Sequence, residues 1–81
     1  MEKEIETMLT MDVQASTLQW IYKQLLMRGC RFEWRETYHE RKFAVLRGNL
    51  LLAEANDRSD FYKVKAGLLK ARAALAIPPR Y

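Results

Sequence analysis

Apolar residues in the first third of the chain recur at steps of three and four, which follows one face of an α-helix. The series is Ile5, Met8, Met11, Ala15, Leu18, Tyr22 and Leu25. It predicts either one helix from Glu2 to Arg28 or two helices. In the second case the break lies near residues 10–12 and the chain restarts at Ser16, where Ser-Thr-Leu-Gln is a capping box. Gly29 is expected to end the helix in the left-handed conformation.

A second helical pattern is predicted from Thr37 to Asn56. It begins with Thr-Tyr-His-Glu, a second capping box. Its apolar stripe consists of His39, Phe43, Leu46, Leu50 and Ala53. Gly48 falls inside this helix, where glycine costs about 1 kcal/mol relative to alanine. We therefore interpret Gly48 as a position where another backbone approaches closely.

The third helical pattern is the most regular of the three. Its apolar positions are Phe61, Val64, Leu68, Ala71 and Leu75, at steps of 3, 4, 3 and 4. Ser59 is the predicted N-cap, and Asp60 falls in the first turn, where a carboxylate suits the helix dipole. Pro78 and Pro79 end the helix because proline cannot continue the hydrogen-bond ladder.

These patterns predict an all-α fold, with residues 1–81 as one small three-helix domain. The last two helices would form a C-terminal antiparallel helical hairpin. Only three glycines and two prolines occur, which favours helices over many short strands. One alternative stays open. Cys30, Phe32 and Trp34 alternate with charged residues, which is the period of a half-buried strand. This alternation allows an α+β fold with a β-hairpin at about residues 30–47.

The small size of the chain suggests that it needs a partner. A chain of 81 residues buries only about 60% of its unfolded surface. A core of this size seldom contributes more than about 3–5 kcal/mol. One cysteine and one histidine cannot form an internal disulfide or a metal-ligand cluster. We therefore expect a homodimer or a complex with another protein, and no metal, cofactor or small-molecule substrate.

Charge is distributed unevenly along the chain. The formal net charge is +4, with −3 in residues 1–20 and therefore +7 in residues 21–81. A basic body of this kind suits an acidic protein surface or a nucleic acid. No apolar run approaches the roughly 18 residues that span a bilayer. The acidic N-terminus lacks the order of a signal peptide. A cytoplasmic protein without membrane contact is predicted.

No arrangement of residues indicates catalysis. Glu36 and Glu40 are spaced as a carboxylate pair, but each is flanked by an arginine and is expected to form solvated salt bridges. His39 lies on the predicted apolar stripe, which favours a partly buried histidine over a general base. Cys30 is the one cysteine of the chain and has no acid/base constellation near it, so it is expected to be a small structural residue after a helix. The chain is therefore predicted not to be an enzyme.

Protein binding is the predicted function. Nine aromatic residues and four methionines are many for so small a core. Aromatic, methionine and arginine side chains are the types that interface centres favour. The predicted contact residues are Trp20, Met27, Trp34, Arg35, Tyr38 and Arg41. They predict an adaptor, chaperone-like factor or inhibitor that acts by stoichiometric contact through an aromatic and methionine patch.

Nucleic-acid binding is the alternative function. Cations can neutralise phosphates, and neighbouring aromatic rings can stack on unpaired bases. The candidate residues are Arg31, Arg35, Arg41, Lys42, Lys63 and Lys70. Three glutamates among the cations reduce the charge of residues 28–47 to +3, which weakens this alternative.

Overall fold

A three-stranded sheet with helices on one face forms the structure. The computed structural model describes residues 2–10 and 16–78, and the side chains of residues 4–9 and 17–78. Its elements are α1 (Glu2–Thr10), α2 (Ser16–Met27), β1 (Cys30–Glu36), β2 (Arg41–Arg47), β3 (Leu50–Ala55) and α3 (Asp60–Ala74). The strands are antiparallel in the order β1-β2-β3. Among the helices, α2 packs on β1, and α3 packs on β2 and β3.

The all-α prediction is therefore wrong, and the fold is α+β. The segment predicted as the second helix, Thr37 to Asn56, contains β2 and β3. The predicted antiparallel helical hairpin is also wrong, because the element before α3 is a strand. The alternative with a hairpin at about residues 30–47 corresponds to β1 and β2. Neither prediction included the third strand.

The central position of β2 explains the wrong helix. Phe43 and Val45 point towards the helices, whereas Ala44 and Leu46 point to the opposite face, and all four are buried. A strand buried on both faces appears as a continuous apolar run rather than an alternation. Periodicity alone cannot distinguish such a run from a buried helix. The edge strand β1 keeps its alternation, with Cys30 and Phe32 buried.

The second predicted capping box closes the β1–β2 hairpin instead. The Thr37 amide donates to the Glu40 carbonyl at 2.8 Å, and the Glu40 amide donates to Thr37 Oγ1 at 3.2 Å. The same threonine-to-glutamate spacing thus satisfies a loop rather than a helix end. His39 lies exposed in this loop beside Tyr38, with ring centroids 4.6 Å apart. The prediction that His39 turns inward is wrong.

Two glycines adopt positive φ at chain reversals. Gly29 follows α2 with φ of 82°, as predicted. Gly48 lies in the two-residue turn between β2 and β3, with φ of 62°, so its predicted place inside a helix is wrong. Asn49 does not share the positive φ. A positive φ at the first turn residue alone is the pattern of a type II′ hairpin turn, which favours glycine there.

The helical stripes predicted at the two ends of the chain are confirmed where they are described. Ile5, Leu18, Tyr22 and Leu25 are buried, and Met8 is half-buried. Met11 and Ala15 lie outside the described residues, as do the side chain of Ser16 and residues 79–81. In α3, Val64, Leu68 and Ala71 are buried, and Ser59 Oγ accepts from the Tyr62 amide at 3.3 Å. Of the two predictions for the first third, the structure has separate helices α1 and α2.

The backbone approach expected at Gly48 is wrong, because a Cβ atom there would meet no heavy atom within 4 Å. A close approach occurs instead at Gly67 of α3, where the neighbour is the Phe43 side chain. A Cβ atom on Gly67 would lie 2.5 Å from Cδ2 of Phe43. The Phe43 ring is fully buried, stacks on Phe32 and meets Trp34 edge-on at 5.3 Å. Gly67 thus allows α3 to pack closely on the sheet at Phe43. The opposite side of α3 faces away from the sheet.

Candidate protein-binding surface

The outer face of the sheet, away from the helices, carries a balanced set of ion pairs. Strand register places Arg31, Glu33 and Arg35 on the same face as Lys42 and Glu54. Arg31 bonds to Glu33, and Arg35 lies 3.5 Å from both Glu33 and Glu54. Lys42 lies 3.3 Å from Glu40 and 3.4 Å from Glu54. We call these six side chains the outer ion-pair ladder, in which three cations match three carboxylates.

Two groups of the outer ion-pair ladder have pKa values shifted by their partners. The hydrogen bond from Arg31 lowers the pKa of the Glu33 carboxyl. The hydrogen bond with Glu40 raises the pKa of the Lys42 ammonium. Three predicted phosphate contacts, Arg31, Arg35 and Lys42, are therefore already bound to carboxylates. A nucleic-acid backbone would have to displace those carboxylates, so this face does not favour phosphate binding.

Arg41 and Trp34 connect the hairpin to α3. The Arg41 guanidinium carbon lies 3.9 Å from the Trp34 ring centroid. Arg41 Nε donates to Glu36 at 2.8 Å, and another nitrogen bonds to Asp60 in the first turn of α3. Desolvation opposes the charge of Arg41, but hydrogen bonds and charge from Asp60 and Glu36 raise its pKa. Both residues were predicted to contact a partner, and the structure places them in an internal connection.

The six residues predicted to contact a protein do not form one surface. Met27 is 77% exposed and Tyr38 is 94% exposed. Met27 precedes β1 and Tyr38 follows it, so about 20 Å of strand separates them. Trp20 and Trp34 are half-buried against the core, and Arg35 belongs to the outer ion-pair ladder. Met27 and Tyr38 are therefore two separate exposed side chains rather than parts of one patch.

A second apolar stripe runs along α3 on the side turned away from the sheet. It consists of Tyr62, Ala66, Leu69 and Ala73, at steps of 4, 3 and 4. Helical spacing places this stripe opposite Val64, Leu68 and Ala71, which are buried. Tyr62 is 56% exposed and Leu69 is 39% exposed. We call it the outward α3 stripe. The helical spacing of the outward α3 stripe is as regular in the sequence as that of the buried stripe. Only the buried stripe was predicted from the sequence.

The N-terminal half of the outward α3 stripe borders an open depression. Its volume is about 390 Å³, and its lining is formed by Asp57, Arg58, Tyr62, Lys65, Ala66 and Leu69. The short side chain of Ala66 lies between the larger Tyr62 and Leu69. Lys65 Nζ lies 5.9 Å from the Tyr62 ring centroid, within cation–π range. A mainly apolar depression with a few charged groups at its border can accept an apolar side chain.

Cations border the outward α3 stripe. Lys65 and Arg72 are seven residues apart and lie along one border, and Lys70 lies along the other. Lys70 Nζ donates to the Glu54 carbonyl oxygen at 3.2 Å, and Arg72 Nε donates to the Ile77 carbonyl oxygen at 3.3 Å. Within the described residues, none of these three cations forms an ion pair with a carboxylate.

The single acid of α3, Asp60, is already bonded to Arg41 and lies 3.8 Å from Lys63. Lys63, a predicted phosphate contact, therefore has a carboxylate beside it, and its side chain is largely buried. Lys70 is the remaining predicted phosphate contact, and it lies beside the outward α3 stripe. The border of the stripe is thus more positive than the outer face of the sheet.

The described side chains include a buried thiol and no cluster of metal ligands. Cys30 is buried, and burial raises the pKa of its thiol against the opposing charges of Arg47 and Arg28. Across residues 4–9 and 17–78, no three histidine, cysteine, aspartate or glutamate side chains are grouped to hold a metal ion. None of the described helices is long and apolar enough to cross a membrane.

Comparison with known proteins found no matching family model, no matching curated protein and no matching solved structure.

Proposed function

We propose that this protein is a non-enzymatic binding factor, an adaptor or inhibitor, that acts by stoichiometric contact with another protein. The outward α3 stripe carries the proposal, because it exposes Tyr62 and Leu69 on the helix face farthest from the core. Tyrosine is enriched among the residues that contribute most to protein interfaces. A cytoplasmic location is part of the proposal and fits a chain with one unpaired cysteine.

Charge supports the choice of this surface. The outer ion-pair ladder is neutral and would lose its internal pairs on binding a charged ligand. The outward α3 stripe needs no such rearrangement, because its apolar side chains already face solvent. Burial of apolar area there contributes roughly 25 cal/mol per Å², before the entropic cost of association is subtracted.

A pull-down with matched variants tests the proposed function. Leu69→Glu places a charge in the outward α3 stripe, whereas Leu50→Glu changes a 59% exposed leucine at the β2–β3 turn. Both variants should keep the wild-type circular dichroism spectrum, because neither leucine is buried. We expect Leu69→Glu to lose a partner that the wild type and Leu50→Glu retain. Equal retention by all three proteins would show that the outward α3 stripe is not the contact.

Nucleic-acid binding is the second candidate, and Lys65, Lys70 and Arg72 are the observation that favours it. These cations all lie on α3, and none has a carboxylate partner among the described residues. Phosphate binding predicts retention on immobilised duplex DNA or RNA that falls steeply with salt. Retention that the double variant Lys65→Gln/Lys70→Gln abolishes, with Leu69→Glu still bound, would establish this candidate instead.

A further inference from the structure

We propose that the partner contributes an amphipathic helix whose apolar seam has acidic residues on both sides, and that this helix lies along the outward α3 stripe. The inference rests on the proposed function and adds the chemistry of the partner. Three features support this inference. They are the spacing of the outward α3 stripe, the cations along its borders, and the burial of the apolar residues of α1, which are therefore not free to cover the stripe of a second copy.

The spacing of the outward α3 stripe suits a helix. Steps of 4, 3 and 4 form a nearly straight seam of the kind that pairs with another helix. Ala66 and Ala73 are small and allow close approach, and they alternate along the stripe with the larger Tyr62 and Leu69. The depression above Ala66 provides a hole for one partner side chain. The 15 residues of α3 extend about 22 Å, enough for three turns of contact or more.

The borders of the stripe select the charge of the partner. In paired helices, the residues beside the apolar seam form ion pairs that determine partner choice and orientation. Lys65 and Arg72 occupy one such border and Lys70 the other. Arg58 adds a cation near the start of α3, and Asp57 offsets it there. Acidic residues on the partner would therefore meet the cations of α3 along most of its length.

A second copy of this chain fits the surface poorly. Two copies of α3 packed face to face would bring the same cations together, which is unfavourable. The acidic helix α1 exposes Glu4 and Glu6, but its apolar residues Ile5 and Leu9 are fully buried in the core of their own chain. Because the described side chains of α1, residues 4–9, present no exposed apolar seam, we assign the occupant to a helix of a different protein.

Two designed peptides test this inference on the full chain. Both are helices of about three heptads with the same leucine and alanine seam. One carries glutamate beside the seam, and the other carries lysine there. Fluorescence anisotropy at low salt should show the glutamate peptide binding at least about tenfold tighter than the lysine peptide, a ratio that shrinks as salt rises. Leu69→Glu should abolish binding of the glutamate peptide, and Leu50→Glu should leave it unchanged.

Other outcomes overturn the inference, and they separate it from the proposed function. Equal binding of both peptides, or binding of neither, rejects an acidic helix as the partner's element. If the pull-down still depends on Leu69 in that case, the proposed function survives. A dimer in sedimentation velocity that Leu69→Glu dissociates would replace the partner with a second copy. Duplex nucleic acid that competes with the peptide and binds Leu69→Glu normally would overturn both proposals.

Discussion

Gly67 shows at the scale of one residue how the helix layer is fitted to the sheet. Its missing side chain leaves room for the Phe43 ring, which is fully buried between Phe32 and Trp34. In most helix interiors glycine is destabilising by about 1 kcal/mol relative to alanine. Here the absence of a Cβ atom is what permits contact between α3 and β2.

We predict that Gly67→Ala destabilises the protein by about 1–3 kcal/mol, even though alanine is the better helix former. The new Cβ atom would lie 2.5 Å from Phe43 Cδ2, and the ring is fully buried, so either the ring or α3 has to shift. Urea denaturation of both single variants and of Gly67→Ala/Phe43→Leu gives a double-mutant cycle. We expect Gly67→Ala to cost less in the Phe43→Leu background. Additive losses would show that the clash is not with this ring.

The ion pair between Arg31 and Glu33 makes the stability of the fold depend on pH in acid. Because Arg31 lowers the pKa of Glu33 in the folded state, the Glu33 carboxylate stabilises the fold above the unfolded pKa, about 4.3. This contribution is lost as the pH falls through the lower, folded pKa. Glu33→Gln should therefore lower the urea midpoint at pH 7, and its difference from wild type should disappear in stronger acid. A difference that does not depend on pH would contradict the ion pair.

Among the elements, the sequence predicted α1, α2 and α3 but also a helix from Thr37 to Asn56 where β2 and β3 lie. Only the alternative hairpin at about residues 30–47 covered β1 and β2, and nothing in the sequence predicted β3. The spacing of Val64, Leu68 and Ala71 identified α3 because that helix is buried on one face. For β2, burial on both faces removed the alternation that identifies a strand. The pairing of Thr37 with Glu40 satisfies a helix cap or a hairpin loop equally well. The pairing of Glu36 with Arg41 on either side of this loop shows that it closes a hairpin here.

The turn between β2 and β3 depends on a glycine with positive φ, Gly48. Gly48→Ala should destabilise the sheet by about 1–2 kcal/mol, because φ of 62° is strained for alanine. The added Cβ atom would meet no heavy atom within 4 Å, so the loss comes from the backbone alone. Gly48→Asn is the matched control, since asparagine tolerates positive φ better. Equal losses for the two variants in thermal denaturation would contradict this explanation of the turn.

For the whole molecule, the sequence supplied the charges but not their partners. In the sequence, the basic segment around β1 is typical of a phosphate-binding surface. In the structure, Glu54 of β3 lies beside Arg35 and Lys42 and pairs with both. That acid is distant in sequence and becomes a neighbour only through the strand that was not predicted. The outward α3 stripe needed no long-range information. Its exposure, however, follows from which side of α3 the sheet covers.

Photo-crosslinking in the producing cell tests the central claim, that the outward α3 stripe is a protein-binding surface. Benzoylphenylalanine would be placed singly at Tyr62, at Leu69 and, as a control, at Leu50. All three side chains are exposed, and Leu50 lies at the β2–β3 turn rather than on α3. We predict the same crosslinked protein from positions 62 and 69 and none from position 50. Crosslinks from position 50 alone, or from none of the three positions, would contradict the claim.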